Sequence, residues 1–395
     1  NDMKQDVKIS EGVESLDDFR SSAKSCFESL GLPNKRMERW KYTDLTRKLY
    51  GYDPQPLVGD CRASLATTSK GALEDSDEDS LATTSKGSLE ASDEGSFATA
   101  ESPQDGSVAP PSSLRAKRGN LLPDIGLKNS VKLYFQNGIW QKDLTDTKTI
   151  PDGVVIKSLS SVIASNPTQV LNKFKELDHS SEPMLALNQA EVFDGIELDI
   201  QQDLILDDPI EFIYLNNKEA FKNKDKTCQV ANYRHILNIA KGANVKIVEH
   251  VDSSFATPSE KAIAHPKNIL LNNIVWQIDL AEAARLDYLH YGKRHANPTD
   301  DLANANALVH YVKVNQAKDS VFTAFSADFN ANFNNILQRF DINVDLNEPG
   351  ARCQLNGVYT LSSKAHSDHH TRVNHLADNT ISGEHYNGVL SDKSI

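Results

Sequence analysis

From residue 131 onward the chain is written almost entirely in short alternating segments, and this pattern limits its fold more than any other feature. VKLYFQNG (131–138), GIELDI (195–200), IEFIYL (210–215), HILNIA (235–240), VKIVEHV (245–251), IVWQIDL (274–280), LVHYVKV (308–314) and DINVDL (341–346) each carry β-branched or aromatic residues at alternate positions. Turn signals separate them: Asn137-Gly138, Lys241-Gly242-Ala243 and Asn347-Glu348-Pro349-Gly350. Helical periodicity after residue 131 is confined to 162–178 and 181–191. So many strands without intervening helices exclude a doubly wound α/β fold and leave a barrel, a sandwich or a solenoid. The irregular spacing between turns does not choose among the three.

The N-terminal part reads differently. In 15–30, Leu16, Phe19, Ala23, Cys26, Phe27 and Leu30 fall on one helical face. Ser15 with Asp18 forms a capping-box signature, and Gly31-Leu32-Pro33 stops the helix. The next stretch, 36–54, sets Trp40 and Tyr42 among charges, as in a small helical region that packs onto something else.

Between these parts lies a composition break. SLATTSKGALEDSDED (64–79) is followed by SLATTSKGSLEASDEG (80–95), a repeat of period 16, and a degraded copy begins at Ser96. Residues 64–111 hold ten acidic residues, two lysines and one aromatic, so they carry most of the formal charge of −13. Such a segment buries too little apolar area to offset its ordering entropy and reads as a disordered insertion. The expected organisation is a helical region over 1–57, an acidic low-complexity insertion over 58–122 and a β core over 123–395.

Composition excludes several functions. The excess of 55 acidic over 42 basic residues argues against a nucleic-acid binder, which needs clustered Lys and Arg. The longest apolar runs are about four residues, as in Phe212–Leu215, against the roughly 20 that a bilayer requires. No apolar segment of a secretory signal opens the sequence, which predicts a cytoplasmic protein. The four cysteines, Cys26, Cys61, Cys228 and Cys353, form no close pair, so neither a disulfide framework nor a local zinc or iron–sulfur motif is expected.

The polar feature of most interest is KAHSDHHTRVNH (364–375). On a strand, His366, Asp368 and His370 share one face and His369 takes the other. Imidazole and carboxylate on one face are what a metal-dependent enzyme would use, with His366 and His370 the metal candidates. The plain alternative is a row of hydrogen-bonded polar positions on a sheet. A polysaccharide-binding solenoid is a third reading, but no acidic pair is singled out for it.

Two blocks carry a family resemblance. LPNKRMERWKYTDL (32–45) resembles the P-x-x-x-x-E-x-W-K-Y-T-x-L signature near the start of SufD proteins. Residues 357–395 resemble the block shared by SufB and SufD, with matches at Gly357, Asp368, His369, His370, Thr371, His375, Ser382, Tyr386, Gly388, Asp392, Lys393 and Ser394. PMLALNQAEVFDGIELDI (183–200) and Asp319-Ser320 match as well, so the resemblance spans the chain outside roughly 58–122. It implies a mainly β protein, a right-handed parallel β-helix preceded by a small helical region. It also implies a non-catalytic scaffold of the SUF iron–sulfur cluster assembly system, paired with SufB and served by the ATPase SufC; a homodimer is the alternative pairing. The Fe–S cluster and reduced flavin are implied for the assembled complex, and no cofactor for this chain alone. Glu38, Trp40, Lys41, Tyr42, Thr43, Asp368, His369, His370, Thr371 and His375 are then structural or interface positions. In the family, strands bearing a Cys-Ser-His-Gly motif and SufC-docking helices follow the Asp-Lys-Ser motif. This sequence stops at Ile395, so the cluster-interface Cys and His have no counterpart in it, and weak SufC docking by a truncated form is expected.

Overall fold

Each alternating segment becomes a strand, and successive strands go to different sheets. The computed structural model describes residues 15–48, 53–56, 127, 129–145, 149–215, 227–252, 268–293, 304–330, 337–362 and 365–395. The repeat-bearing insertion, with Cys61, lies outside the described residues. Helix α1 (Leu16–Leu30), a 3₁₀ turn at Glu38–Trp40, helix α2 (Leu45–Lys48) and strand β1 (Asp53–Pro56) come first. Then follow β2 (Val131–Gln136), β3 (Ile139–Trp140), β4 (Val154–Ser158) and helices α3 (Leu159–Ser165), α4 (Pro167–Lys175) and α5 (Pro183–Glu191). The rest is strand: β5 (Asp194–Ile200), β6 (Ile210–Leu215), β7 (Thr227–Ile239), β8 (Asn244–Asp252), β9 (Asn268–Leu280), β10 (Arg285–Lys293), β11 (Asn304–Gln316), β12 (Val321–Asn330), β13 (Leu337–Leu346), β14 (Arg352–Leu361), β15 (His366–His375) and β16 (Ile381–Leu390).

From β5 on, odd strands line up parallel in one eight-stranded sheet and even strands in another. The chain therefore coils, one strand per sheet per turn, and the architecture is a two-sheet β-helix. Antiparallel pairing is confined to its start. There β4 pairs with β5, and Asn137-Gly138, both at positive φ, close the hairpin between β2 and β3.

The irregular spacing seen in the sequence has one location. Residues 240–243, 281–284, 317–320, 347–351 and 376–380 make a short turn from the odd to the even sheet in every coil from β7 on. The return segments vary, from 253–267 down to 362–365. Each short turn holds one residue at positive φ: Gly242, Ala283, Asp319, Gly350 and Asn379, continuing a column begun by Asp203. Backbone amides tie the turns together, Asp203 N to Lys241 O, Gly242 N to Glu282 O, Ala283 N to Lys318 O and Asp319 N to Pro349 O. Gly242 and Gly350 are glycine for a second reason. A Cβ at either position would press on the carboxylate of the aspartate stacked on it, Asp203 for Gly242 and Asp319 for Gly350.

Beside these turns the odd sheet carries a column of alternating acid and amide: Asp199, Asn238, Asp279, Asn315, Asp345 and Asn374. Each amide donates to its neighbouring acid, Asn238 to Asp199 (2.7 Å), Asn315 to Asp279 (2.8 Å) and Asn374 to Asp345 (2.7 Å). Stacked carboxylates would repel, and alternation turns the column into donor–acceptor pairs.

Inside the coils lies an apolar core of Leu, Ile, Val, Phe and Tyr, including Phe212, Trp276, Phe322 and Phe340. The helices cover the outside of the odd sheet. Phe19 of α1 packs with Val170 and Phe174 of α4 and Ile236 of β7. Ser15 caps α1 as expected, accepting from Asp18 N, and Gly31 ends it at φ 67°. The helix expected at 162–178 is divided at Asn166, which caps α4 ahead of Pro167. Proline cannot continue α3 and is well suited to open α4.

Candidate functional site

A carboxylate occupies the lumen of the β-helix. In β8 the inward positions run Val245, Ile247, Glu249, so an acid takes a place otherwise filled by aliphatic side chains. Glu249 is fully buried. Its Oε1 accepts from the Tyr214 hydroxyl (2.7 Å) and Trp276 Nε1 (2.8 Å). Its Oε2 accepts from the Tyr288 hydroxyl and faces His310 Nε2 at 2.8 Å and His290 Nδ1 at 3.4 Å. His235 extends the network, its Nε2 3.0 Å from the Tyr214 hydroxyl. Tyr214, Glu249, Tyr288 and His290 come from the even sheet, and His235, Trp276 and His310 from the odd one. The network thus spans the lumen.

The electrostatics follow from burial. Desolvation by itself would raise the Glu249 carboxyl, but the nearby His310 and hydrogen bonds with both imidazoles outweigh it and hold it well below the usual carboxylate range. Burial, reinforced by Glu249, pushes the Tyr214 and Tyr288 phenols well above their ordinary value, so both act as donors. Among the described residues, Glu249, His290 and His310 form the one group with ligand atoms close enough to share a metal ion, all within 4.8 Å of one another.

The residues singled out from sequence lie elsewhere. On β15, His366, Asp368 and His370 share the outer face and His369 turns inward, as strand parity requires. Trp40 is buried with the Arg339 guanidinium 4.1 Å from its ring centroid, and Thr43 donates to Asp368 and sits 3.1 Å from His366 Nε2. Arg339 binds Asp368 and donates to Asp341 at 3.1 Å, while Arg39 pairs with Asp341 and Glu182. The two sequence blocks therefore meet at one polar contact. His370 Nδ1 is 3.9 Å from Asp341 Oδ1. The remaining positions stand apart from it. Glu38 opens the 3₁₀ turn, and Lys41 lies over the ring of Tyr42, which is 75% exposed. Thr371 donates to Glu384, and His375 faces Thr380 (2.7 Å) and Ser382 (2.9 Å). His366 and Asp368 are engaged with Thr43 and Arg339, and neither they nor His370 belongs to a metal-spaced group among the described residues.

Sequence reasoning missed Glu249, His290 and His310. For Glu249 and His310 the available signal was parity, since each is a polar residue at an inward position of a segment that alternates; His290 lies on β10, a strand that the alternating pattern did not pick out. Register across coils, which brings residues 249 and 310 together, is invisible in linear spacing.

His369 is the inward member of the histidine block. It stacks on Phe340 (5.0 Å, 13°) and Tyr359 (5.5 Å, 22°), and burial lowers its pKa to about 4. The unfolded chain titrates this imidazole near its ordinary value of about 6.5, so unfolding takes up a proton that the folded state refuses. Its contribution is present above pH 6.5 and is lost as pH falls toward 4. Between pH 7 and pH 5 the loss is expected to reach about 2 kcal/mol. Urea midpoints of wild type and His369→Phe at both pH values check this; an equal acid loss in the two proteins would refute it.

The described thiols are poor nucleophiles. Burial pushes Cys228 and Cys353 up to about 12, and burial with Asp178 nearby raises Cys26. No helix among the described residues is long and apolar enough to cross a membrane.

Comparison with known proteins places these elements in context. Residues 124–212 match the family model for the SufBD protein N-terminal region, and 221–395 match that for the SufBD core domain of SUF system FeS cluster assembly. An iron–sulfur cluster assembly SufBD family protein of Synechocystis is 21% identical over 242 residues, 61% of this chain. The matched part spans about half of that relative, 49% of its length.

Proposed function

Because this chain belongs to the SufBD family of the SUF iron–sulfur cluster assembly system, we propose that it is a SufD-type, non-catalytic scaffold subunit that pairs with SufB and works with the ATPase SufC in the cytoplasm. The observation that carries this reading is where the family matches fall: on the strands and helices of the β-helix as a whole. A rigid coil stack suits a platform against which partner subunits move. The contact joining Trp40 and Thr43 to Arg339 and Asp368 supports the same reading, because it fixes the N-terminal segment to the coils. The SufD assignment within the family rests on the WKYT block at 40–43. In this proposal the Fe–S cluster is cargo and, like the reduced flavin, belongs to the assembled complex.

Co-expression of the tagged chain with SufB and SufC tests the proposal. SufB is expected to co-purify in near-stoichiometric amount and to bring SufC with it. Recovery of neither, or of a stable homodimer in place of the SufB pair, would overturn it.

A further inference from the structure

Inside the lumen, two ring nitrogens and a phenol oxygen crowd one carboxylate oxygen. His310 Nε2 and His290 Nδ1 stand 2.8 Å and 3.4 Å from Glu249 Oε2, and the Tyr288 hydroxyl, bonded to the same oxygen, is 3.2 Å from His310 Nε2. Ligands about 2.0–2.1 Å from a tetrahedral ion are separated from one another by about 3.3 Å. The two imidazole-to-carboxylate spacings lie on either side of that value, and all three ligand atoms fall within 4.8 Å of one another. The second carboxylate oxygen is held by Tyr214 and Trp276, so Oε2 is the oxygen on which both imidazoles and the Tyr288 hydroxyl converge. Glu249 is fully buried, and its ion-pair partners among the described residues are the two imidazoles. A buried carboxylate needs a compensating positive charge nearby.

We propose that Glu249, His290 and His310 bind one divalent first-row transition-metal ion, zinc or ferrous iron, within the lumen of the β-helix. Two imidazoles and a carboxylate without thiolate suit these borderline ions, not the soft Cu(I) or the oxygen-seeking Ca²⁺ and Mg²⁺. The Tyr288 hydroxyl lies beside the fourth position. Glu249 and His290 sit on neighbouring strands of the even sheet, β8 and β10, and His310 on β11 of the odd sheet. The ion would therefore tie the two sheets together and link successive coils. Enclosed by full burial, it would enter as the coils close during folding, so that binding and folding are coupled. The site concerns this chain's own residues and does not depend on the scaffold reading.

The test uses the full chain purified without chelator, with metal content measured by mass spectrometry. About one zinc or iron per chain is expected. His290→Ala and His310→Ala should each reduce this to a small fraction, and Glu249→Gln should lower it while preserving volume. His366→Ala and His375→Ala should leave it unchanged. Far-UV circular dichroism establishes that each variant is folded. If the lumenal variants do not fold, wild type unfolded with chelator and refolded with Co²⁺ decides the matter: visible absorption of tetrahedral cobalt without a thiolate band is expected. A wild-type chain that holds no metal as purified and none after refolding with Zn²⁺, Fe²⁺ or Co²⁺ would overturn the proposal. So would metal content that the three lumenal substitutions leave unchanged.

Discussion

Truncating Trp276 to alanine is expected to cost about 3–5 kcal/mol of folding stability, the range for deleting a large buried aromatic. Its indole is fully buried and lies against Phe212 (4.6 Å between ring centroids), His235 (4.7 Å) and Tyr288 (5.9 Å). It therefore touches side chains from both sheets, and its removal leaves a void that neither can fill. The change also deprives Glu249 Oε1 of one of two donors. Trp276→Phe separates the two effects. It keeps most of the packing and loses only the N–H, so about 1–3 kcal/mol is expected. Urea unfolding midpoints with their slopes measure both. A Trp276→Ala protein within about 1 kcal/mol of wild type would mean that the lumen collapses around the gap.

The second large effect is expected at Arg339. Its guanidinium is 1% exposed, is stacked against Trp40 and is bound to Asp368 and Asp341. Removing one partner from a buried ionic cluster typically costs about 3–5 kcal/mol, because the remaining charges have lost their compensation. Arg339→Ala should reach that range and expose Trp40, whose fluorescence reports the change. Arg339→Met combined with Asp368→Asn and Asp341→Asn should recover much of the loss, since it removes the charges together. If Arg339→Ala and the triple variant were equally unstable, packing on Trp40 and not charge would be the source.

The sequence was legible where local chemistry decides the structure. Strand parity placed His369 on the side opposite His366, Asp368 and His370. The Ser15–Asp18 cap and the Asn137-Gly138 turn are local as well, and each formed as its residues predict. Legibility failed where two coils must be brought into register. His310 stands in line with Tyr233, Ile274 and Phe340 because hydrogen-bonded pairing puts it there, and no spacing in the chain announces that column. The docking of Thr43 on Asp368 is equally long-range; the two blocks stood out by resemblance, and only the fold shows that they touch. The break at Asn166 is an intermediate case, since Pro167 marked a boundary inside what otherwise reads as one helix.

The constant turns along one side of the β-helix have a consequence for how such a chain can change. Inward and outward facing is a phase with a period of two residues, and an error of one residue would invert a whole strand. The short turn resets that phase once per coil, at a left-handed residue whose amide is tied to the next turn. A residue gained or lost within one of these turns would therefore turn the following strand inside out, carrying its core side chains to the surface and its outer ones into the lumen.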